Sequence, residues 1–166
     1  VGEQFQNGDI YIPEMMSAAR TMTGTIESLR GRLVDRSEAK QGKVVIGTVK
    51  GDLHDIGKNL VIMMLKGQGF EVEDLGLSAT PEKFAQAIKE QNADILALSA
   101  MLTTTMIEMK NTIATLEEMG IRNFVKVIIG GAPVTQKFAD TIGADGYAYD
   151  APGAAQKCKE LIKREQ

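Results

Sequence analysis

Tryptophan is absent from this chain, histidine and cysteine occur once each, and only 5% of the residues are aromatic. Each shortage closes off a class of function. So few aromatics leave no platform on which nucleic-acid bases could stack. The lone Cys158 cannot form an internal disulfide, so a reducing cytoplasm is the expected compartment. One histidine with one distant cysteine is also a poor zinc site. No apolar run approaches the ~18 residues that suggest a membrane span, and no signal-peptide pattern is visible. Nineteen Lys and Arg against 22 Asp and Glu give a net charge of −3. With both signs spread along the chain, neither nucleic acid nor a membrane is an expected partner.

What is present fits one domain with a smaller appendage: 166 residues, 43% of them apolar, and nine methionines suited to filling irregular apolar space. A polar start with a turn at Asn7-Gly8-Asp9 leads to Pro13, which suits the first turn of a helix. Met15, Ala19, Met22, Ile26, Leu29 and Leu33 then recur at alternating spacings of 4 and 3, which predicts an amphipathic helix over 13–35. Alone, such a helix cannot bury its stripe. Residues 36–43 are charged and aperiodic and read as a linker.

From residue 44 the pattern repeats as apolar run, turn and amphipathic helix. Strands are predicted over 44–49, 70–75, 94–99, 125–129 and 146–149, the second nearer an edge. Helices follow over 58–67, 80–91, 105–119 and 135–142, and a last one carries Ala154, Cys158, Leu161 and Ile162. Five such units predict an α/β fold, a flavodoxin-like five-stranded parallel sheet with right-handed crossovers. The carboxyl ends of strands one, three and four then border one crevice, where ligands of such sheets bind.

Those ends carry Gly51-Asp52-Leu53-His54-Asp55-Ile56-Gly57, then Ser99-Ala100-Met101 with Thr103, Thr104 and Thr105, then Gly130-Gly131, and finally Tyr149-Asp150-Ala151 after strand five. Small residues there let a bulky ligand approach the backbone. His54 has Asp52 two residues before it, close enough to orient one ring nitrogen while the other binds a metal. A hydroxyl such as that of Ser99 could in turn bond Asp52. A phosphoryl-accepting receiver would need a carboxylate where Ser99 stands, and the G-x-G-x-x-G dinucleotide fingerprint is missing after strand one.

The set Asp52-x-His54-x-x-Gly57, Ser99-x-Met101 and Gly130-Gly131, in this order at these strand ends, resembles the B12-binding (corrinoid-binding) family. Met101 stands where the family usually shows Leu. Upstream, Ile12-Pro13-Glu14-Met15-Met16-Ser17-Ala18-Ala19 resembles the helical cap domain that precedes the B12 domain in methionine synthase and in small methanogen and acetogen corrinoid proteins. The resemblance implies a Rossmann-like B12-binding domain over 44–166, a linker over 36–43 and a partial helical cap over 1–35 that lacks its first helices. It implies cobalamin as cofactor, in its methylcobalamin and cob(I)alamin states, with cobalt as the metal and His54 as its lower axial ligand. Asp52 would bond His54, and Ser99 would complete a proton relay. Ser99, Met101, Thr103, Gly130 and Gly131 would line a slot for the nucleotide tail. Asp55, Ile56 and Gly57 would lie beneath the corrin, Tyr149, Asp150 and Ala151 at its edge or against the tail, and Tyr11, Met15 and Met16 over its upper face.

The implied function is a corrinoid methyl carrier, a non-catalytic subunit. It would be loaded by a substrate:corrinoid methyltransferase and unloaded by a corrinoid:tetrahydrofolate or coenzyme M methyltransferase, with a reductive activase in attendance. The system would be an anaerobic O-demethylase or one for methylamine, betaine or methanol. The charged 159–166 reads as a natural terminus, which favours this over a B12 module of a methionine synthase-like enzyme. A B12-dependent sensor or regulator is the third reading.

Overall fold

Lys43–Thr48 forms β1, whose residues alternate between the two faces of a sheet, and almost all of them are buried. The other strands are β2 (Glu71–Asp74), β3 (Ile95–Ser99), β4 (Lys126–Gly130) and β5 (Gly146–Ala148). A computed structural model describes residues 1, 4, 7–14, 16–18, 20–21 and 41–163 of the chain. The strands pair in parallel in the order β2-β1-β3-β4-β5, with β2 at one edge as its short alternating pattern predicts. The register sets Thr48 beside Ser99 and Ser99 beside Gly130, which pairs in turn with Ala148. The strands therefore end along one row. This is the sheet expected from the apolar runs.

Five helices follow the strands: α1 (Ile56–Gly67), α2 (Pro81–Gln91), α3 (Ile107–Glu118), α4 (Gln136–Ile142) and α5 (Ala151–Lys163). On one face of the sheet, Phe84 and Ile88 of α2, Met109, Ile113 and Leu116 of α3 and Ala139 of α4 pack on Val45, Leu96, Val127 and Ile129. Gly47 leaves room for the Phe84 ring, which a Cβ there would meet at 2.9 Å. On the other face, Ile62 and Leu65 of α1 and Ala154, Ala155 and Cys158 of α5 pack on Ile46, Ala97 and Ile128. Thr80 and Thr135 cap α2 and α4 by accepting from the amides of Lys83 and Phe138, and Pro81 opens α2 as the sequence predicts.

Strand and helix ends differ from the predicted ones by one or two residues, the usual fraying. One element has no counterpart in the sequence reading, a 3₁₀ turn at Arg122–Phe124. Its Arg122 guanidinium bonds the Val125 and Gly143 carbonyls and the Asp145 carboxylate, fastening the entry of β4 to that of β5. Residues 12–14, 16–18 and 20–21 are helical, all but Ile12 within the predicted 13–35. The rest of that helix, with Met15, and most of the linker lie outside the described residues. Among the described residues no helix is long and apolar enough to cross a membrane.

Candidate functional site

The loop from β1 to α1 is built on Asp52. Gly51 takes a φ of +80°, a left-handed turn that suits glycine, and the Asp52 amide then bonds back to the Val49 carbonyl at 2.9 Å. The Asp52 side chain is 0% exposed and engaged at both oxygens. Oδ2 accepts from the Met101 amide at 2.7 Å, the Leu102 amide at 3.4 Å and the Thr105 hydroxyl at 2.7 Å. Oδ1 accepts from the His54 amide at 3.1 Å and lies 3.0 Å from His54 Nδ1. Burial pushes the Asp52 carboxyl up, but the bonds from Thr105, Met101 and His54 outweigh it and hold it at about 2. A carboxyl held below its ordinary value stabilises the fold at every pH above that value. That contribution is lost as pH falls through about 2.

An ionised carboxylate only accepts, so His54 Nδ1 carries the proton and Nε2 of the neutral ring keeps its lone pair. The ring is 52% exposed and borders a cavity of about 710 Å³. Among the described residues, no group of three or more His, Cys, Asp or Glu is placed to hold a bare ion. A single nitrogen donor over a large apolar cavity instead fits a metal that brings its own ring of ligands.

The cavity runs from the His54 loop down the face of the sheet that α1 and α5 cover. Alternation along the strands puts Ile46, Ala97, Ser99, Ile128, Gly130 and Ala148 on its wall, and α5 adds Ala151, Ala154 and Cys158. Small side chains keep the wall apart from the helices. Burial pushes the Cys158 thiol up to about 12, so at neutral pH it is an inert wall group rather than a nucleophile. Gly131 stands at φ +130°, where a Cβ would collide with the Ala100 carbonyl. Leu53, Ile56, Met101 and Tyr149 are exposed apolar groups at the mouth, Tyr149 the most at 86%.

Of the residues singled out from the sequence, His54, Asp55, Ile56, Gly57, Ser99, Met101, Gly130, Gly131, Tyr149, Asp150 and Ala151 border this cavity. Asp52 lies beneath His54. Thr103 is exposed in the turn after β3 and does not line the cavity. Tyr11 is 72% exposed and does not line it either. Met16 packs on Leu60 and Ala151 beside the cavity, and among the described residues of this segment Ile12 borders it. Ile12, Leu53 and the apolar wall were not anticipated: the wall depends on which face of the sheet is left open, and Ile12 and Leu53 on how the first segment and the β1–α1 loop fold back over it.

The relay expected of Ser99 is corrected. The hydroxyl that reaches Asp52 belongs to Thr105, and Ser99 turns into the cavity without a bond to Asp52. Ser99 ends β3, whereas the chain must turn through 101–105 before a hydroxyl comes back over Asp52. Lys58 was also missed. It is buried, and its ammonium is clasped by both Asp74 oxygens at 2.7 and 2.8 Å, tying the start of α1 to edge strand β2. Thr105→Val, nearly the same shape, is expected to lower unfolding stability in urea by about 2 kcal/mol, the worth of a hydrogen bond to a charged group. Ser99→Ala is expected to change it by less than about 0.5 kcal/mol. The reverse order would return the relay to Ser99.

A family model described as the B12 binding domain matches residues 42–156. Over 163 residues the chain is 47% identical to dimethylamine corrinoid protein 1 of Methanosarcina acetivorans, covering 98% of this chain and 76% of that one. A novel cobalamin-binding protein from Desulfitobacterium hafniense shares 35% identity at a TM-score of 0.82, covering 96% of this chain and 75% of that one. A chain of the methanol:cobalamin methyltransferase complex from Methanosarcina barkeri shares 30% identity at a TM-score of 0.86, covering 97% of this chain and 61% of that one. The group that fits a lone imidazole above this cavity is cobalamin, with cobalt as its metal, and the chain belongs to the B12-binding family of corrinoid proteins.

Proposed function

We propose that the chain is a corrinoid methyl carrier serving methylated amines, dimethylamine first among them. The observation that carries this is His54, with Nδ1 bonded to a buried, ionised Asp52 and the ring at the mouth of the cavity. Bound cobalamin supplies a cobalt centre that can accept a methyl group and give it up again. The chain's part would be to supply the His54 ring nitrogen as a ligand to that metal. Asp52 stays ionised at any physiological pH and, by accepting from Nδ1, would hold the ring with Nε2 available to the cobalt. The apolar rim of Leu53, Ile56 and Met101 would keep water from the bound group, and the small-residue wall would receive its nucleotide tail.

The dimethylamine reading rests on the 47% identity to a dimethylamine corrinoid protein over nearly the whole chain. The partners it entails are an amine:corrinoid methyltransferase, a second methyltransferase that passes the methyl to coenzyme M or tetrahydrofolate, and a reductive activase. Residues 1–35 serve as a cap joined by the 36–43 linker. In support, Ile10 and Met16 pack against Leu60 and Ala151, and Ile12 borders the cavity.

The test loads the protein with reduced cobalamin and adds, in separate assays, a monomethylamine, dimethylamine, trimethylamine or methanol methyltransferase, each with its own substrate. Methylation of the bound cofactor is followed by absorbance. Dimethylamine is expected to react fastest. If the carrier accepted methyl only from a methanol system, the amine assignment would be wrong and the carrier role would stand.

A further inference from the structure

The histidine loop is braced from the exit of β2, through Ser78. This residue stands at φ +50°, a left-handed conformation that side chains other than Asn and Asp rarely adopt. Its amide donates to the Thr48 hydroxyl at 2.8 Å and to the Asp52 carbonyl at 3.1 Å. Its own hydroxyl accepts from the Gly51 amide at 2.9 Å. Thr48, fully buried, donates its hydroxyl to the same Asp52 carbonyl at 2.6 Å. Either side of Ser78 the strand pairing continues, since Thr48 bonds the Gly76 carbonyl at 3.1 Å and Ala79 bonds the Thr48 carbonyl at 2.9 Å.

Asp52 is thus anchored twice, to two different loops. Its carboxylate is fixed by Met101, Leu102 and Thr105 beyond β3, and its backbone by Thr48 and Ser78 beside β2. With both ends held, the carboxylate cannot follow a shift of the loop, and Nδ1 of His54 is set at one height above the sheet. The loop turns at Gly51, whose φ of +80° suits glycine, and the amide of the Lys50–Gly51 peptide that leads into this turn is held by the Ser78 hydroxyl.

We propose that Ser78 is a positioning residue for the Asp52–His54 pair, acting through the Gly51 amide to hold His54 at the height that cobalt ligation requires. This rests on the reading of His54 as the axial ligand. Its left-handed backbone is the conformation that turns the hydroxyl onto Gly51 while the Ser78 amide stays on Thr48 and Asp52.

The test uses the full chain loaded with cobalamin and reduced to the paramagnetic Co(II) state, where an axial nitrogen splits the electron paramagnetic resonance lines. Ser78→Gly removes the hydroxyl and relieves the left-handed backbone, so the fold is not what varies. Ser78→Asp restores an acceptor on a side chain that tolerates φ near +50°. The ligation equilibrium is expected to fall roughly three- to tenfold in Ser78→Gly, the worth of one hydrogen bond, and to recover in Ser78→Asp. Thermal midpoints of the two variants should match the parent within a few degrees. Wild-type ligation in Ser78→Gly overturns the proposal, as does a loss in both variants that tracks lost thermal stability. Absence of nitrogen splitting in the parent protein would instead overturn the axial role of His54, which keeps the two failures apart.

Discussion

His54→Ala, loaded with cobalamin, is expected to lose the nitrogen splitting of the Co(II) resonance that marks a protein imidazole, together with the visible-absorbance bands of the His-ligated cofactor. His54 is the only histidine in the chain, so no second histidine can replace it. The cavity below the loop is untouched by this change, because its wall is made by Ile46, Ala97, Ile128, Ala154 and Cys158. Binding should therefore persist but weaken. Removing an outer-sphere partner of a metal ligand typically costs about 10–100-fold in affinity, and loss of the ligand should cost at least as much. Free imidazole supplied at millimolar concentration should partly restore the spectrum, since truncation to Ala opens the axial position. An unchanged spectrum in His54→Ala would mean that the metal takes its lower ligand from elsewhere.

The second large effect is expected at Gly131→Ala. This glycine sits at φ +130°, and its Cβ would collide with the Ala100 carbonyl, a backbone atom that cannot swing aside like a long side chain. Forcing an alanine into that conformation and relieving the collision should cost about 3 kcal/mol or more. In a domain of this size that lowers the thermal midpoint by roughly 6–12 °C. The damage should also reach the histidine. The Ala100 carbonyl belongs to the same peptide as the Met101 amide, which donates to Asp52 at 2.7 Å. Pushing that peptide away loosens the carboxylate that orients His54, 77 positions earlier in the sequence. Calorimetry of the apoprotein measures the first effect, and the Co(II) resonance of the loaded variant measures the second. A variant with the parent's midpoint and the parent's resonance would show that the turn after β4 gives way at no expense.

The five βα units could be read from the sequence because a parallel strand covered on both faces must be mostly apolar, as 44–49 and 95–98 are. Gly, Pro and Thr then punctuate the helices at Gly67, Pro81 and Gly120. Asp52 and His54 were equally legible, since two residues of spacing in a strand-end loop suffice to bring a carboxylate to Nδ1. What could not be read was anything that depends on a loop folding back over another. Thr105 reaches Asp52 across 53 residues only after the chain turns through 101–105. Ser99 looked the better partner because it ends the strand itself, yet its side chain follows the period-2 alternation into the cavity. Lys58 would have been taken for a solvated first-turn charge, and only the position of edge strand β2 supplies Asp74 to bury it. In the same way, Tyr11 stands exposed and off the cavity wall, whereas, among the described residues of its segment, Ile10 and Met16 pack on Leu60 and Ala151 and Ile12 borders the cavity.

The cavity of about 710 Å³ is walled in part by Ile46, Ala97 and Ile128, which also belong to the protein's own core. A chain arranged this way finishes its interior with a molecule it does not encode. Whatever binds the folded form and not the unfolded one stabilises it by mass action, about 2.7 kcal/mol at a hundred times the dissociation constant. Folded protein would then be longest-lived in cells with ample corrinoid and more readily degraded in cells that lack it. Supply of the cofactor would set the abundance of its carrier without any regulator of transcription.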